Sequence, residues 1–379
     1  MENTAFEYTR QRFMSGFDGR TCKISPNICT DGEVTLLSYS DLLLTGSDVF
    51  TASYMAKSTD GGRTFSEPKR QVNLPDVYEN GLRTARSAVP YYNRTHKKWF
   101  GLGVTVSYEH DRHPVLVDGV SPNKCFYCDV DVENCQFTDP RPIDIPFDHV
   151  CGYNFGQTVE LENGDILVPF NYTTKENTRM MIVTVLYTFA GGGFKVAKVG
   201  TPIICNEYRR GVCEPSLAAH GGRYYMAIRT DEVGLYAVSG DGFGFCEPKP
   251  YVWDDGSVLE NYNTQQHWMI SKNALYLAYT RKGAHNDHVF RHRAPIFMTR
   301  FDTERECLIR GEEVILVPEL GARLGNFCVT EPNENESWLV TAEWMQSWGG
   351  KLGVCEKYGS DNSFWLARVY WKDQSGIYT

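Results

Sequence analysis

The sequence predicts an all-β fold, a single β-propeller domain over residues 1–379 with six or seven four-stranded blades, of which seven is preferred. Three observations support this prediction. Short alternating or β-branched runs recur along the chain, turn signals separate them, and one turn sequence returns later in altered form. Helical periodicity is almost absent, which disfavours helix-based architectures.

The strand signal is strongest in eight runs of the chain. They are GEVTLLSYSDLLLTG, KKWFGLGVTVSYE, GQTVELENGDILVPFNYT, RMMIVTVLYTF, GRYYMAIRT, NALYLAYTR, SWLVTAEWM and SFWLARVYW. Turn signals such as Asn163-Gly164, Gly221-Gly222 and Asp255-Gly256 lie between them. No linker, charge block or shift in composition divides the chain, so we expect one domain of many short strands, as in a sandwich, barrel or propeller.

A repeated turn favours the propeller among these architectures. Residues 57–70, KSTDGGRTFSEPKR, predict a self-supporting hairpin turn, because the glycines tolerate positive φ angles and Ser58 and Asp60 can bond to turn amides. Residues 238–250, VSGDGFGFCEPKP, repeat the order serine, acid, glycine, aromatic, one residue shorter. A turn signature that recurs with each unit suggests blades, and at roughly 45–60 residues per blade the chain holds six or seven.

Charge and hydropathy narrow the classes of function. The 38 basic and 47 acidic side chains leave a net charge of −9, which disfavours general nucleic-acid binding but leaves room for a local cationic pocket. Hydrophobic residues make up 42% of the chain, enough for a sizeable core. No run of eighteen apolar residues exists, and the first thirteen residues lack the apolar core of a secretion signal, so we expect a cytoplasmic protein that contacts no membrane.

The spacing S-x-D-x-G-x-T-F that begins at Ser58 resembles the Asp-box, a repeat of sialidases and other glycan-active propellers. The resemblance extends to residues 211–245, where Glu214 precedes a strand pair, Arg229 follows fifteen residues later and a second such turn comes next. Sialidases commonly have this glutamate, which polarises a tyrosine nucleophile, and then an arginine of the carboxylate-binding triad. The resemblance implies that Glu214 is catalytic and that Arg229 binds an acidic sugar.

The sequence departs from the sialidase pattern at two places. The N-terminal Arg-Ile-Pro that supplies the first triad arginine is missing, and KISPNICTDGEVTLL stands there. No acid/base aspartate occupies the usual place, although Asp48 lies nearby. Downstream stretches are also similar to seven-bladed polysaccharide lyases, and the missing Arg-Ile-Pro raises the expectation of an elimination reaction.

Residues 260–297 hold the densest group of cationic and polar side chains. Four of the nine histidines fall within 267–292, between two apolar strands, which is typical of a loop that lines a site; an exposed basic loop is the alternative. If residues 288–293 are extended, Arg291 and Arg293 share one face and form the cationic side of a carboxylate pocket. The candidate catalytic residues are Glu214, His267, Tyr279 and His288, and the candidate substrate-binding residues are Arg229, Arg281, Arg291, Arg293 and Trp344.

Further candidates carry weaker signals. Arg323 could be a third cation, Tyr262 a proton-transferring phenol, and His110 and His113 alternative bases. A zinc site from His267, His288, His292 and Cys328 matches no strong zinc spacing, so no metal or other cofactor is expected. The twelve cysteines are expected to be mostly buried free thiols.

These residues lead to three hypotheses of function. The preferred one is a sialidase-like glycoside hydrolase that cleaves a terminal acidic sugar from a glycan. The second is a polysaccharide lyase that removes the C5 proton of a uronate by β-elimination. The third is a non-catalytic propeller that binds a glycan or a protein. The expected partner of the enzyme is an acidic oligosaccharide or glycan, and the sequence does not determine the oligomeric state.

Overall fold

The computed structural model describes residues 5–45, 48–109, 113–116, 122–147, 149–150, 156–190 and 193–372. Within these residues the chain forms six antiparallel sheets that follow one another along the sequence, the arrangement of a six-bladed β-propeller. The all-β propeller prediction is confirmed. The preference for seven blades is not confirmed, because some blades are longer than the blade length assumed: blade 2 alone runs from Val77 to Pro142.

The strands of the first three blades follow the chain after β1 (Phe6–Phe13), which belongs to the last blade. Blade 1 contains β2 (Thr21–Thr30), β3 (Thr35–Leu43), β4 (Val49–Ser58) and β5 (Lys69–Arg70). Blade 2 contains β6 (Val77–Glu79), β7 (Leu82–Asn93), β8 (Lys98–Glu109), β9 (His113–Pro114), β10 (Cys125–Asp131), β11 (Gln136–Phe137) and β12 (Arg141–Pro142). Blade 3 contains β13 (His149–Val150), β14 (Val159–Glu160), β15 (Ile166–Thr173), β16 (Met181–Ala190) and β17 (Gly193–Val199).

The last three blades complete the ring. Blade 4 contains β18 (Cys213–His220), β19 (Arg223–Arg229), β20 (Gly234–Ser239) and β21 (Lys249–Pro250). Blade 5 contains β22 (His267–Ile270), β23 (Leu275–Tyr279), β24 (Ile296–Asp302), β25 (Cys307–Leu308) and β26 (Val314–Val317). Blade 6 contains β27 (Cys328–Asn333), β28 (Glu336–Ala342), β29 (Phe364–Trp371) and β1. Helical structure in the described residues is limited to α1 (Leu352–Lys357) and the 3-10 turns Phe290–His292, Arg310–Glu312 and Trp348–Gly350.

The first strand of the chain closes the ring by joining the last blade. β1 pairs antiparallel with β29, with Phe6 opposite Trp371 and Phe13 opposite Phe364. Both ends of the described chain are therefore held in one sheet, and β29 is paired on both sides. Because of this pairing β29 is an inner strand of its sheet, and β1 takes the edge position.

The core consists of apolar layers between neighbouring blades. Phe100 of blade 2 and Phe170 of blade 3 belong to one buried cluster. Trp268 of blade 5 packs against Tyr225 of blade 4, with ring centroids 6.1 Å apart. A cluster that contains Leu37 joins blade 1 to blade 6 and so completes the ring. Each sheet buries both of its faces in this way, which explains the strongly apolar runs in the sequence.

The two repeated turns fold as predicted, each between the third and fourth strands of its blade. In blade 1 the Asp60 carboxylate accepts hydrogen bonds from the amide of Thr64 and from the Ser58 hydroxyl, at 2.9 and 2.7 Å. In blade 4, Asp241 accepts equivalent bonds from the Gly244 amide and the Ser239 hydroxyl, both at 3.0 Å. The first turn also contacts the last blade, because a Cβ on Gly62, at a φ of 74°, would lie 3.2 Å from a guanidinium nitrogen of Arg368.

The described residues can be compared with the expectations of free thiols and of no membrane-spanning helix. Eleven cysteines are free thiols, most of them buried, as expected for this part of the chain. None of the helices in the described ranges is long and apolar enough to span a membrane.

Candidate functional site

Two cavities lie among the inner strands of the propeller. The first has a volume of about 490 Å³ and is lined by residues of all six blades. Its described lining includes Arg210, Arg229, Arg291, Arg293 and Arg323, and we call it the arginine pocket. The second cavity, about 470 Å³, lies further along the same inner strands, and Asn27 lines both. The arginine pocket is the stronger candidate site because of the charge collected there.

The charge balance of the arginine pocket is opposite to that of the whole protein. Its described lining contains five arginines but only two carboxylates, those of Asp48 and Glu214. The chain as a whole has a net charge of −9. A concave surface of this kind focuses positive potential and favours an anionic ligand.

A bulge places Glu214 in the pocket. The pairing of β18 with β19 shifts between Cys213 and Ser216, and Glu214 has a φ of 45°, a left-handed conformation that is uncommon for a residue with a side chain. Bulges of this kind redirect a side chain near a site. As a result the Glu214 Oε1 atom lies 2.6 Å from Nη1 of Arg229.

The ion pair of Glu214 and Arg229 is charged and leaves one atom of each side chain without a hydrogen bond. Burial would raise the pKa of Glu214, but the charge and hydrogen bond of Arg229 outweigh burial and lower it, so this carboxylate is ionised at neutral pH. Its second oxygen, Oε2, is buried and has no hydrogen-bond partner among the described atoms. The Nε atom of Arg229 is likewise buried and has no hydrogen-bond partner among the described atoms. Both groups therefore have hydrogen-bonding capacity that no described protein atom uses.

Asn263 connects two of the pocket arginines. Its side-chain oxygen accepts hydrogen bonds from Nη2 of Arg229 and, at 3.3 Å, from Nη2 of Arg293. Its backbone oxygen accepts a further bond of 2.9 Å from Nε of Arg293. Arg229 ends β19 in blade 4, whereas Arg293 follows the 3-10 turn of blade 5, so Asn263 holds guanidinium groups from two blades side by side.

Arg293 and Arg323 are buried cations without a carboxylate partner among the described residues. Their exposed fractions are 3% and 2%. The hydrogen bonds of the Arg293 side chain go to Asn263, and Nε and Nη2 of Arg323 are buried without a hydrogen-bond partner in the described structure. Burial lowers the pKa of both groups and neighbouring arginines lower it further, whereas the charge of Glu214 near Arg293 and that of Asp48 near Arg323 offset part of this shift. Because a guanidinium keeps its charge in proteins, these two side chains carry a desolvation cost that a bound anion would offset.

Arg291 adds a partly buried cation at the wall of the pocket. The prediction that residues 288–293 are extended is wrong, since Phe290–His292 form a 3-10 turn in which Arg291 has a φ of 57°. Arg291 and Arg293 nevertheless both line the pocket, as expected. Burial, followed by the charge of Arg229, lowers the pKa of Arg291.

His267 is the histidine of the candidate set that reaches the pocket. Its side chain is buried, with Nδ1 2.5 Å from the hydroxyl oxygen of Ser216 and its ring against Phe327 at a centroid distance of 4.9 Å. Burial lowers the pKa of His267 to about 4. The imidazole is therefore neutral at pH 7 and can accept a proton.

The remaining candidates do not line the pocket. Tyr279 is buried between blades and donates to Glu313 at 2.5 Å, and the same carboxylate forms a 2.6 Å ion pair with Arg281. His288 pairs with Glu319 at 2.8 Å. Trp344 is buried below Arg323, so its ring supports a cation and offers no platform to a sugar. The sequence placed these residues with the site because they are close to it along the chain.

Several other expectations can be compared with the structure. Tyr262 contacts His292, 2.7 Å from oxygen to Nδ1, and does not line the pocket. His110 lies outside the described residues, as does the side chain of His113. The described part of the chain contains no group of three histidine, cysteine, aspartate or glutamate side chains suited to a metal ion.

Two residues of the site were missed in the sequence. Asn263 has no catalytic signature, because it acts only through the two arginines that it joins. Arg210 lies four positions before Glu214, pairs with Asp231 at 2.8 Å and is exposed at the pocket wall. Its proximity to the Glu214 motif was the signal that could have identified it.

Comparisons with known proteins bear on the fold. No protein-family model and no curated protein matches the sequence. A protein of unknown function from Dyadobacter fermentans is similar in structure, with a TM-score of 0.62 and 13% identity over 96% of this chain and 99% of that one. The NanB sialidase from Streptococcus pneumoniae has a TM-score of 0.59 and 12% identity over 94% and 70%. The α-L-arabinofuranosidase from Fusarium graminearum has a TM-score of 0.53 and 13% identity over 97% of each chain.

These similarities show that the chain has the propeller fold found in sialidases and arabinofuranosidases. The predicted resemblance to sialidase-like propellers is thereby confirmed for the fold. The fold alone does not determine the reaction, which has to be argued from the pocket.

Proposed function

We propose that this propeller is a glycoside hydrolase that holds a terminal acidic sugar in the arginine pocket and cleaves its glycosidic bond. The observation that carries this proposal is that the buried guanidinium groups of Arg293 and Arg323 form no ion pair with a described carboxylate and lie in the same pocket as the ion pair of Glu214 and Arg229. A sugar carboxylate accepts paired hydrogen bonds from such groups and offsets their charge. The similarity of the fold to glycosidases supports a carbohydrate as the bearer of that carboxylate.

Two carboxylates are available for the reaction. Glycoside hydrolysis commonly uses one carboxyl group to protonate the leaving oxygen and a second to stabilise or attack the oxocarbenium-like centre. The lowered pKa of Glu214 keeps it anionic, which suits the second role. Asp48 of the blade 1 side also lines the pocket and is the proposed proton donor. No tyrosine occurs in the described lining, so we assign the nucleophilic or stabilising role to a carboxylate and not to a tyrosine.

The proposal can be tested with aryl glycosides of N-acetylneuraminic acid, glucuronic acid and L-arabinofuranose. We expect turnover of an acidic glycoside and none of the neutral arabinofuranoside. Glu214→Gln should lower kcat by about 10²- to 10⁴-fold, the usual range for a group of this kind. Glu313→Gln is the matched control, because Glu313 also forms a 2.6 Å pair with an arginine but lies away from the pocket. Preference for the neutral substrate, or full activity of Glu214→Gln, would refute the proposal.

A polysaccharide lyase is the second candidate, and the neutral, pocket-lining His267 is the observation that favours it. In this reaction the arginines neutralise a uronate carboxylate, which acidifies the C5 proton, and His267 accepts that proton. The electron pair of the C5–H bond forms the C4–C5 double bond, the C4–O bond breaks, and the departing oxygen is protonated by the imidazolium or by water. Elimination leaves an unsaturated sugar, so ultraviolet absorbance rises during turnover of a uronate polymer, whereas hydrolysis gives no such rise. Binding of an acidic sugar without either reaction would support a non-catalytic binding propeller instead.

A further inference from the structure

The arginine pocket has two chemically different walls. In a ring of six blades, blade 1 faces blade 4 and blade 2 faces blade 5. Blades 4 and 5 supply Arg229, Arg291 and Arg293. Besides Asp48, the facing blades supply an apolar surface, which we call the apolar wall and which consists of Phe50, Val106, Pro114 and Leu116.

The apolar wall is a fixed part of the pocket. Phe50 begins the inner part of β4, where its amide donates to the Tyr108 hydroxyl at 3.0 Å and its carbonyl accepts from Arg83 at 2.9 Å. Phe50 and Val106 both pack on the buried cluster of Val49, Ala85 and Tyr108. Phe50 and Val106 are therefore held in place by the blade 1 and blade 2 sheets.

The two walls also differ in depth. Arg229 and Arg293 are 7% and 3% exposed, whereas Leu116 is 65% exposed and Pro114 is also exposed. The charged group of a ligand therefore lies deep in the pocket, and the apolar contact lies towards the opening. For an enzyme that removes a terminal sugar, the part of the substrate that extends out of the opening is the leaving group.

We infer that the substrate of this enzyme is an acidic sugar linked to an apolar aglycone, such as an alkyl, aryl or lipid group, which rests on the apolar wall while the arginines hold the sugar carboxylate. This inference rests on the proposed function. The leaving oxygen lies between the two groups, so contact of the aglycone with the wall also orients the bond to be cleaved. A saccharide aglycone would leave the apolar wall without a matching surface.

The test uses glycosides of whichever acidic sugar the enzyme cleaves, prepared with methyl, butyl, octyl and lactosyl aglycones. We expect KM to fall by about threefold to fourfold for each methylene that contacts the wall, the value of a buried methylene, and to be highest for the methyl and lactosyl compounds. Leu116→Ser should flatten this dependence on chain length. Val258→Ser is the matched control, because Val258 is 51% exposed and does not line the pocket.

A second series changes the sugar and keeps the methyl aglycone, with acyl groups of increasing length on the ring. If the longer acyl groups lower KM and the longer aglycones do not, the apolar wall receives a ring substituent and the inference is overturned. Equal KM values for all aglycones, or an unchanged chain-length dependence in Leu116→Ser, would also overturn it and leave the proposed function intact. Failure of every acidic glycoside to react would refute the proposed function, and the inference with it.

Discussion

The guanidinium group of Arg323 lies over the indole ring of Trp344, with 3.2 Å between its central carbon and the ring centroid. The aromatic face supplies a weak electrostatic partner, and the nearby Asp48 carboxylate acts on this cation without forming an ion pair with it. Arg323 is thus held in place from one side, and its Nε and Nη2 atoms are buried without hydrogen-bond partners there. This arrangement suits an arginine that binds an anionic ligand although its burial destabilises the free protein.

Arg323→Met should separate binding from stability. Replacing a buried, unpaired cation with an apolar side chain of similar volume is often neutral or stabilising, so we expect the melting temperature of the free variant to equal or exceed that of the wild type. An acidic monosaccharide at 100 times its Kd should stabilise the wild type by about 2.7 kcal/mol and the variant by much less. Thermal denaturation with and without the sugar measures both effects.

Arg300→Met is the control for this experiment. Arg300 pairs with Glu312 at 2.8 Å, outside the pocket. Its replacement should leave the stabilisation by the acidic sugar intact. A clear loss of stability in free Arg323→Met, together with an unchanged effect of the sugar, would show that Arg323 is a structural residue.

Asn263→Asp should stabilise the fold and weaken the site. A carboxylate at this position would pair with Arg229 and Arg293, which now share the amide oxygen of Asn263. The left-handed backbone of Asn263, at a φ of 49°, is one that aspartate also adopts readily. We expect a higher melting temperature and a loss in kcat/KM for acidic substrates of roughly 10²-fold, since charged hydrogen bonds contribute about 1.5–3 kcal/mol each. An unchanged kcat/KM would contradict the assignment of these arginines to the substrate.

The stability of the protein should depend on pH through His267. Burial lowers its pKa from 6.5 to about 4, so the unfolded chain binds more protons than the folded one between these values. The folded state is therefore favoured fully above pH 6.5 and loses stability as the pH falls towards 4. From pH 7 to pH 5 this group alone should cost about 2 kcal/mol, at roughly 1.4 kcal/mol per pH unit.

Urea unfolding of the wild type and of His267→Gln at both pH values measures this contribution. We expect the free energy of unfolding of the variant to fall less than that of the wild type as the pH is lowered. Equal changes in the two proteins would mean that His267 is already protonated in the folded state at pH 5.

The repeated turns should contribute to stability and not to catalysis. Asp60→Ala and Asp241→Ala each remove the carboxylate that accepts the hydrogen bonds of its turn. Both turns connect the third and fourth strands of a blade, away from the pocket lining. We expect a lower melting temperature with an unchanged kcat/KM for either variant, as measured by calorimetry and steady-state kinetics. A selective loss of activity at full stability would place the turns in the site.

The sequence predicted the parts of the structure that depend on local chemistry. Alternation and turn residues identified the strands, and the repeated turn around Asp60 and Asp241 identified the blades. The number of blades was less predictable, because strands such as β9 and β12 are only two residues long and extend blade 2 without a clear signal. Local pattern does not define the length of a blade in such cases.

The sequence indicated site residues that carry a charge near the end of a strand. It did not indicate residues such as Asn263, which contribute by positioning other side chains. Glu214, Arg229, Arg291 and Arg293 were proposed for one site because a guanidinium group next to an apolar strand requires a partner, and all four line the arginine pocket. Tyr279 and Arg281 were misplaced, since their partner Glu313 lies 32 to 34 positions away and cannot be identified by spacing. The role of Asn263 depends on the simultaneous approach of two blades, which is a property of the ring.

The pairing of β1 with β29 has a consequence for how the protein is made. Phe6 emerges from the ribosome long before its partner Trp371, and at roughly 5–20 residues per second the delay amounts to tens of seconds. Throughout that interval the earliest segment must stay unpaired while the intervening blades assemble. We therefore expect molecular chaperones that bind extended polypeptide to assist folding chiefly during translation. If translation stopped before the strands of blade 6 were synthesised, the unpaired segment would make the nascent chain prone to aggregation.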